Sequence, residues 1–599
     1  MRSAMRRHLS ALLGVTALAA VNLAAPDPAR AQDVPDVRTP GRDQLKQPDV
    51  GPPPQSTATV RSDGAFARGP CPFTDPALTI SFDRVTYEMV PEADGSVPPV
   101  PAELATLLAR VDEPTGTQPL SAVCDIRDMA NAALRGAHYV ASVVIPPQRV
   151  EGGELRMQLV VARIVEVRVR GDAGPYRDVL ETRIAQLKQL NPLNERDAEQ
   201  ILLLASDIPG LTVDLSLSPA GGRAGDVIGD LNIGYRPFSL FANAQNYNSR
   251  QLGRETGYLR AEYYGLTGMS DVTYVGASST ADFKEQVIVQ GGHIMGLTAD
   301  GLTLGVRGTY AWSRPDLGLL DLETRSLVAG FDLRQPLERS LLGNAAAAIG
   351  FDYIEQRTRS ATSTQSVLIN RDKLRVAFAR LDADMRSRQS IGDSGGVAWE
   401  LRGDVELRKG LGIFDATPRD IIGSGSTVQP TRIDGNSRAW VIRADLEGAI
   451  GLGPVFSLYG RAEGQWADDP LLNFEEYSIG SLTIGRGYDP GANSGDRALG
   501  LRGEARAQLW RADGGSGRWG VEAFGFYDQV FLDNLDRGSS ETDRGLASVG
   551  GGVRVRVPGL ALLEMMYARP LDRALTIDDR KPADRLLVSL TVLYSPGAR

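Results

Sequence analysis

The chain is poor in the residues on which most enzymes and metal proteins depend. Only three histidines occur in 599 residues: His8 lies close to the N-terminus, and His138 and His293 are isolated. No P-loop, nucleophile elbow or metal-ligand spacing is present. We therefore expect a protein that is not an enzyme, with no catalytic residue, no metal and no cofactor.

The sequence also lacks an excess of basic residues and a second long apolar run. It has 65 lysines and arginines against 74 aspartates and glutamates, a formal net charge of −9. Without a basic excess that would neutralise phosphates, nucleic acid is not expected as a partner. After residue 31 no run of 18 or more apolar residues occurs, so a membrane-spanning helix is not expected.

The N-terminus has the pattern of an export signal. Three arginines within the first seven residues precede a broken apolar run over 9–25, and Ala29-Arg30-Ala31 supplies a small-x-small cleavage site. A short N-terminal anchor is the alternative, but the breaks favour a signal peptide over residues 1–31. The mature chain, without the four arginines and one aspartate of this segment, has a formal charge of −12. Such an exported chain is either soluble or a β-barrel, because only a closed barrel satisfies its backbone in lipid without helices.

Only two cysteines occur, Cys71 and Cys124. In the oxidising compartment of an exported protein, a small even count indicates one disulfide. It would close a loop of about 53 residues and contribute about 4 kcal/mol to stability in the loop-entropy model. The alternative is two unrelated buried thiols.

Two small α+β units follow a linker. Residues 32–72 are rich in Pro, Gly, Asp and Gln, which is typical of an extended linker. Residues 73–163 show the order strand, helix, helix, strand, strand, with one strand over Ile80 to Val90. Residues 164–237 repeat this order, and Asn194 is placed to cap the second helix. The sequence therefore predicts two copies of one small α+β unit.

Residues 238–594 lose helical periodicity. Segments of about ten residues alternate apolar with charged side chains, the length needed to cross a bilayer with tilt. Four tryptophans near segment ends suggest aromatic girdles: Trp399, Trp440, Trp466 and Trp510. A soluble β-sandwich would also alternate, but its strands would be shorter. The region has room for about 14 to 18 barrel strands.

One connection in this region carries an arginine between glycines. The segment Gly485-Arg486-Gly487-Tyr488 is followed by Gly495-Asp496-Arg497. An arginine that reaches into a barrel of mixed charge needs a fixed carboxylate partner, and Asp528, two residues after Phe526, is the candidate. The alternative is a solvated loop arginine and an ordinary strand-end acid.

These residues, in this order, resemble the two-partner secretion (type Vb) transporter family, outer-membrane proteins of the haemolysin and filamentous haemagglutinin secretion-activation type. Arg486-Gly487-Tyr488 matches the family's Val-Arg-Gly-aromatic loop motif, with Gly485 in place of valine. Gly495-Asp496-Arg497 matches the start of its Gly-Asp-Arg-Gly motif. Phe526-Tyr527-Asp528 matches the start of its Phe-x-Asp-x-Gly wall motif.

The resemblance implies a fold. A pair of α+β periplasmic POTRA domains, here 73–163 and 164–237, would precede a transmembrane antiparallel β-barrel of 16 strands over 238–594. Tyr594 would be the aromatic of the terminal strand, before a short tail over 595–599. The family usually places a short plug helix in the pore. Arg42 to Gln47 could form one or two helical turns between flanking prolines, but Asp43 to Gln47 matches the plug helix poorly.

The resemblance also implies a function. The protein would sit in the Gram-negative outer membrane with its POTRA domains in the periplasm, bind an unfolded haemolysin- or adhesin-like partner there, and secrete it through the barrel. Arg486 and Asp528 would pair inside the pore. Outer-membrane lipid and the barrel assembly machinery would be further partners. The alternatives are an insertase of the same superfamily, which usually has more POTRA copies, and a solute porin with periplasmic docking domains.

Overall fold

The computed structural model describes residues 41–45, 60–61, 71–73, 75, 77–92, 94–317, 320–361, 366–391, 397–419, 428–514, 517–536 and 541–596. The predicted signal peptide and most of the predicted linker lie outside these ranges. No helix within them is long and apolar enough to cross a membrane.

A two-residue strand, β1 (Val60–Arg61), precedes the first α/β unit. The elements of that unit are β2 (Thr79–Phe82), β3 (Arg84–Met89), α1 (Ala102–Leu108), β4 (Gly116–Pro119), α2 (Ala122–Gly136), β5 (Ala141–Val144) and β6 (Glu154–Val161). Strand β6 is central in the main sheet, with β3 parallel and β5 antiparallel to it. The apolar stripe of α2, which includes Ile126, Ala130 and Leu134, packs on this sheet.

The prediction of a single strand over Ile80 to Val90 is wrong in one respect. It divides at Asp83, where the backbone N–H of Asp83 donates to the carbonyl of Gly153 (2.6 Å). The two halves have different partners: β2 pairs with β4, and β3 pairs with β6. Because β4 has only four residues and no alternating pattern, its sequence did not predict it.

The second unit contains β7 (Arg163–Gly171), α3 (Arg177–Gln189), α4 (Glu195–Ser206), β8 (Leu211–Pro219) and β9 (Asp226–Tyr235). Its sheet repeats the first arrangement, because β7 is parallel and β8 antiparallel to the central β9. Asn194 caps α4, since its side chain accepts from the backbone N–H of Arg196. Strand β1 lies parallel to the outer edge of β8.

The structure joins Cys71 to Cys124, at the third residue of α2, in a disulfide whose Cα atoms lie 5.9 Å apart. We expect alkylation of the unreduced, denatured protein to label neither cysteine, and alkylation after reduction to label both. Mass spectrometry of the labelled peptides measures this. Two labelled thiols without reduction would contradict the assignment.

The remaining strands form the barrel. They are β10 (Phe238–Gln245), β11 (Thr256–Tyr264), β12 (Val272–Thr280), β13 (Gln286–Gly296), β14 (Thr303–Ser313), β15 (Asp316–Leu317), β16 (Leu320–Arg339), β17 (Gly343–Ala361), β18 (Ser366–Arg386), β19 (Trp399–Gly410), β20 (Trp440–Leu452), β21 (Phe456–Ala467), β22 (Tyr477–Ser478), β23 (Ser494–Gly495), β24 (Arg497–Gly514), β25 (Gly517–Asp533), β26 (Asp543–Val557), β27 (Ala561–Pro570) and β28 (Arg585–Tyr594).

Sixteen long strands in the described part of the chain close into an antiparallel barrel, which is the number that the family resemblance implied. Strand β10 pairs with β28, where Leu240 lies opposite Tyr594, the predicted terminal aromatic. The short β15 extends the β14–β16 hairpin, and β22 and β23 pair with each other inside the connection between β21 and β24. Closure leaves no unpaired strand edge facing lipid.

Contacts with the second unit identify the end of the barrel that the family resemblance places in the periplasm. The Tyr176 hydroxyl donates to the carbonyls of Pro209 and Asp271 (both 3.0 Å), so the β11–β12 turn rests on this unit. Burial raises the pKa of the Tyr176 hydroxyl, which therefore stays a neutral donor. Arg339, at the end of β16, pairs with Asp207 (2.6 Å).

The strand directions then place two of the four predicted girdle tryptophans at each rim, and all four are exposed. Trp399 and Trp510 lie toward the periplasmic end, and Trp440 and Trp466 lie toward the extracellular end. This arrangement corresponds to the two aromatic girdles of a membrane barrel.

Candidate functional site in the barrel lumen

The connection between β21 and β24, residues 468–496, folds back into the barrel. The pairing of β22 with β23 makes it a hairpin whose tip points down the lumen. Its apolar side chains Ile479, Ile484 and Tyr488 are fully buried, and they pack against Val530 and Leu546 of the wall. Burial of this apolar set favours the inward position, because an outward loop would expose it to water.

Arg486, at the tip of this lumen loop, is paired with Asp528 of β25. Nη2 donates to Oδ1 of Asp528 (2.8 Å) and Nε to Oδ2 (3.1 Å), which is a two-point contact. The backbone N–H groups of Gly485 and Arg486 also donate to Oδ2 (3.1 and 3.0 Å). The guanidinium lies 3.6 Å from the centre of the Phe526 ring. Asp528 thus fixes both the side chain and the backbone of the loop tip.

A second carboxylate completes the environment of Arg486. Nη1 donates to Oε1 of Glu504 on β24 (2.6 Å), and Arg502 on the same strand donates to Asp528 (3.1 Å). Glu504 also accepts from Arg506 and Arg554. The exposed fractions of the Arg486, Glu504 and Asp528 side chains are 3%, 2% and 0%. An ion pair so shielded from water is far harder to break than a surface pair.

The residues on both sides of Arg486 must be glycines, because the backbone of the loop tip lies very close to neighbouring atoms. Gly485 has φ = +110°, and a Cβ there would lie 2.5 Å from Cγ1 of Ile479. A Cβ on Gly487 would lie 2.7 Å from the backbone nitrogen of Pro570 and 2.8 Å from Cβ of Ser548. The loop tip therefore touches the wall with its backbone, which only glycine permits.

Tyr488 anchors the other side of the tip. Its hydroxyl donates to the carbonyl of Ala547 (2.9 Å) and accepts from the N–H of Asp572 (3.1 Å). Its own carbonyl accepts from Nη1 of Arg585 (2.6 Å), on β28. Arg486 and Tyr488 together tie the loop to β24, β25, β26 and β28.

Gly495-Asp496-Arg497 lies at the base of the loop and not beside Arg486. Asp496 accepts from the N–H groups of Leu471 (2.7 Å) and Leu535 (2.8 Å) and from Nη1 of Arg432 (2.5 Å). Nε of Arg497 donates to the carbonyl of Ala467 (2.9 Å). The second motif thus fastens the hairpin where it leaves the wall.

A four-residue 3₁₀ turn, Arg42–Leu45, also lies in the lumen. Nη1 of Arg42 donates to Oε1 of Gln465 (2.9 Å), and Nε2 of Gln290 donates to the carbonyl of Leu45 (2.9 Å). Leu45 packs with Leu472 of the loop. The expected plug segment, Asp43 to Gln47, overlaps this turn, but the turn begins one residue earlier and Gln47 lies outside the described residues.

A further charged cluster lies beside the plug turn. Glu475 of the lumen loop accepts from Arg408 of β19 (3.0 Å) and Arg443 of β20 (2.5 Å). These three residues were not predicted from the sequence as part of the site, and neither were Glu504 and Arg502. Their alternation with apolar residues marks them as facing the lumen, but the pairing depends on strand register, which alternation leaves undefined.

Comparison with known proteins gives consistent matches. A family model described as haemolysin secretion/activation protein ShlB/FhaC/HecB matches residues 325–555. The outer membrane transporter CdiB-2 of Burkholderia pseudomallei is 21% identical over 375 residues, covering 61% of this chain and 60% of that protein. The heme/hemopexin transporter protein HuxB of Haemophilus influenzae is 20% identical over 468 residues, 74% of this chain and 76% of that protein. The chain thus spans about 60% of the length of the first of these relatives.

Two solved structures share the fold. CdiB from Escherichia coli superimposes with a TM-score of 0.66 at 16% identity, covering 89% of this chain and 94% of that one. CdiB from Acinetobacter baumannii gives a TM-score of 0.59 at 14% identity, with 90% and 95% covered.

Proposed function

We propose that this chain is a two-partner secretion transporter of the outer membrane, and that it exports one partner protein, unfolded in the periplasm, through its barrel. The observation that carries the proposal is the lumen loop, held inside the barrel by the buried pair of Arg486 and Asp528. A loop with one fixed inner position can be released as a unit when a chain enters. Mixed charge on the lumen wall would give an extended polypeptide many weak contacts in place of one strong site.

We assign recognition of the exported partner to the two α/β units, which we propose are POTRA domains. An extended segment of the partner adds to a sheet edge, where main-chain hydrogen bonds give affinity and side-chain pockets give specificity. The pairing of β1 with β8 supports this mode, because an extended segment of the chain itself already lies parallel to an outer sheet edge. The partner is a haemolysin- or adhesin-like exported protein. The barrel assembly machinery would insert the transporter into the membrane.

The direct test is export with and without this chain. We expect a large exported protein encoded beside the gene for this chain to reach the medium only when the chain is present. Purified residues 33–236 should bind a denatured N-terminal piece of that protein saturably, with a denatured unrelated protein as control. Export that does not depend on the chain would overturn the proposal, and a folded fragment that shows no binding would move recognition to the barrel.

The porin alternative predicts a different electrical behaviour. The lumen loop and the plug turn, Arg42–Leu45, occupy the barrel, and no comparable filling is needed for solute diffusion. We expect low and intermittent conductance for the protein in planar bilayers, and a several-fold rise after deletion of residues 41–47. A deletion of 50–56, in the linker, is the matched control. A steady high conductance of the intact protein would favour a porin.

A further inference from the structure

The extended strands β16, β17 and β18 carry three arginines in one row on the outer face of the barrel. In the strand registers, Arg325 lies directly opposite Arg357, and Arg357 directly opposite Arg371. The lumen face of these strands consists of the alternate residues, such as Asp352 and Ile354, which are buried inside the barrel. The three arginines therefore point away from the lumen. We call them the arginine row.

The arginine row by itself is electrostatically unfavourable. Like charges directly opposite each other on neighbouring strands repel, and here the same cation repeats on three strands. Glu323 pairs with Arg325, and Glu355 pairs with Arg371 (2.6 Å). Within the described residues Arg357, in the middle, has no carboxylate partner. Arg359, two residues farther out on β17, is exposed and adds positive charge. The nearby Lys373 is neutralised by Asp415. This level of the outer face therefore carries more positive than negative charge, because Arg325, Arg357, Arg359, Arg371 and Lys373 face only Glu323, Glu355 and Asp415.

The position of the row matches the outer boundary of the membrane. Below it, toward the periplasm, the outward side chains are apolar, including Phe331, Ile349 and Leu381, which are 49%, 61% and 60% exposed. Arg325 lies two residues beyond the outward Leu327, roughly 7 Å along the strand. In register with Arg325 is Trp312, whose ring packs edge-on against Tyr310 at 4.4 Å. Aromatic residues of this kind mark the headgroup level of a barrel.

From these observations we propose that the arginine row binds the phosphate groups of the phosphorylated glycolipid in the outer leaflet. A phosphate between Arg357 and its neighbours would accept paired N–H bonds from planar guanidinium groups and would remove the repulsion along the row. The acyl chains would lie on the apolar band below, which continues directly from the row. The lipid is thus a specific partner of this face. The inference is independent of export, because it concerns the outer surface and not the lumen.

The test uses the full-length purified transporter in detergent with fluorescent bisphosphorylated lipid A. We expect the variant R325Q/R357Q/R371Q to bind it at least tenfold more weakly than the unaltered protein, and R357Q alone to bind it several-fold more weakly. Arg569→Gln is the matched control, because Arg569 is an outward arginine at the extracellular end of β27, faces Val549 and lies near Asp584 (3.9 Å). Its affinity should stay within about twofold. Heat-modifiable mobility on gels verifies that each barrel is folded.

Two further arms identify the ligand. Dephosphorylated lipid A should bind the unaltered protein as weakly as phosphorylated lipid A binds the triple variant. Inorganic phosphate at the same concentration as lipid A should not displace it, because it lacks the apolar contacts. Equal binding of dephosphorylated lipid A, displacement by inorganic phosphate, or an equal loss in Arg569→Gln would each overturn the proposal.

Discussion

Replacement of Arg486 by alanine is expected to reduce export by about two orders of magnitude per inserted transporter. Removal of one partner from a buried ion pair typically costs about 3 kcal/mol or more, because the other charge is left without compensation. Each 1.4 kcal/mol changes an equilibrium about tenfold. Asp528 would keep Arg502 but lose the two-point contact that fixes the loop tip. Secreted partner divided by heat-modifiable barrel in the outer membrane is the measurement.

Matched variants separate this pair from general loss of charge. Asp528→Asn should behave like Arg486→Ala, and Arg486→Lys should recover little, since an ammonium lacks the planar fork. Arg580→Ala, in an exposed loop position, should export normally. The exchanged variant Arg486→Asp with Asp528→Arg should also fail. Its new arginine would lie beside Arg502, and the N–H groups of residues 485 and 486 would lose their acceptor. Normal export by both single variants would remove the pair from the mechanism.

We expect Gly487→Val also to reduce export strongly, but through a steric clash and not through the loss of a charge. Its side chain would meet the backbone of Pro570 and the side chain of Ser548, which belong to the barrel wall. The wall strands are held by continuous hydrogen-bond ladders, so the loop must move away and Arg486 must leave Asp528. We expect export to fall at least tenfold while the amount of inserted barrel changes less than twofold.

Gly503→Ala is the control for this steric argument. Gly503 lies in β24, and no atom lies within 4 Å of a Cβ built there. Its export should equal that of the unaltered protein. If Gly487→Val exported normally as well, the loop tip would not need its close contact with the wall.

Strand alternation was sufficient to predict the barrel. One face of each segment meets lipid and the other meets the lumen, so the two-residue period appears directly in the sequence. The strand β4 and the division at Asp83 were not predictable, because they depend on which strands meet and not on a repeating pattern. The position of the plug turn in the lumen was not predictable for a related reason: its four residues are stabilised by lumen contacts such as that of Arg42 with Gln465.

The amino-acid sequence was enough to predict the order of the domains and the two motifs that contain Arg486 and Asp528. Arg486 and Asp528 could be singled out because they lie in segments that match the loop and wall motifs of the family that the sequence resembles. Three features became visible only in the folded barrel: Glu504 and Arg502 complete the site, Asp496 lies at the opposite end of the loop, and three arginines form one row on the outer face. Each of these depends on strand register, which is fixed by the closure of all sixteen strands together. No single segment contains that information.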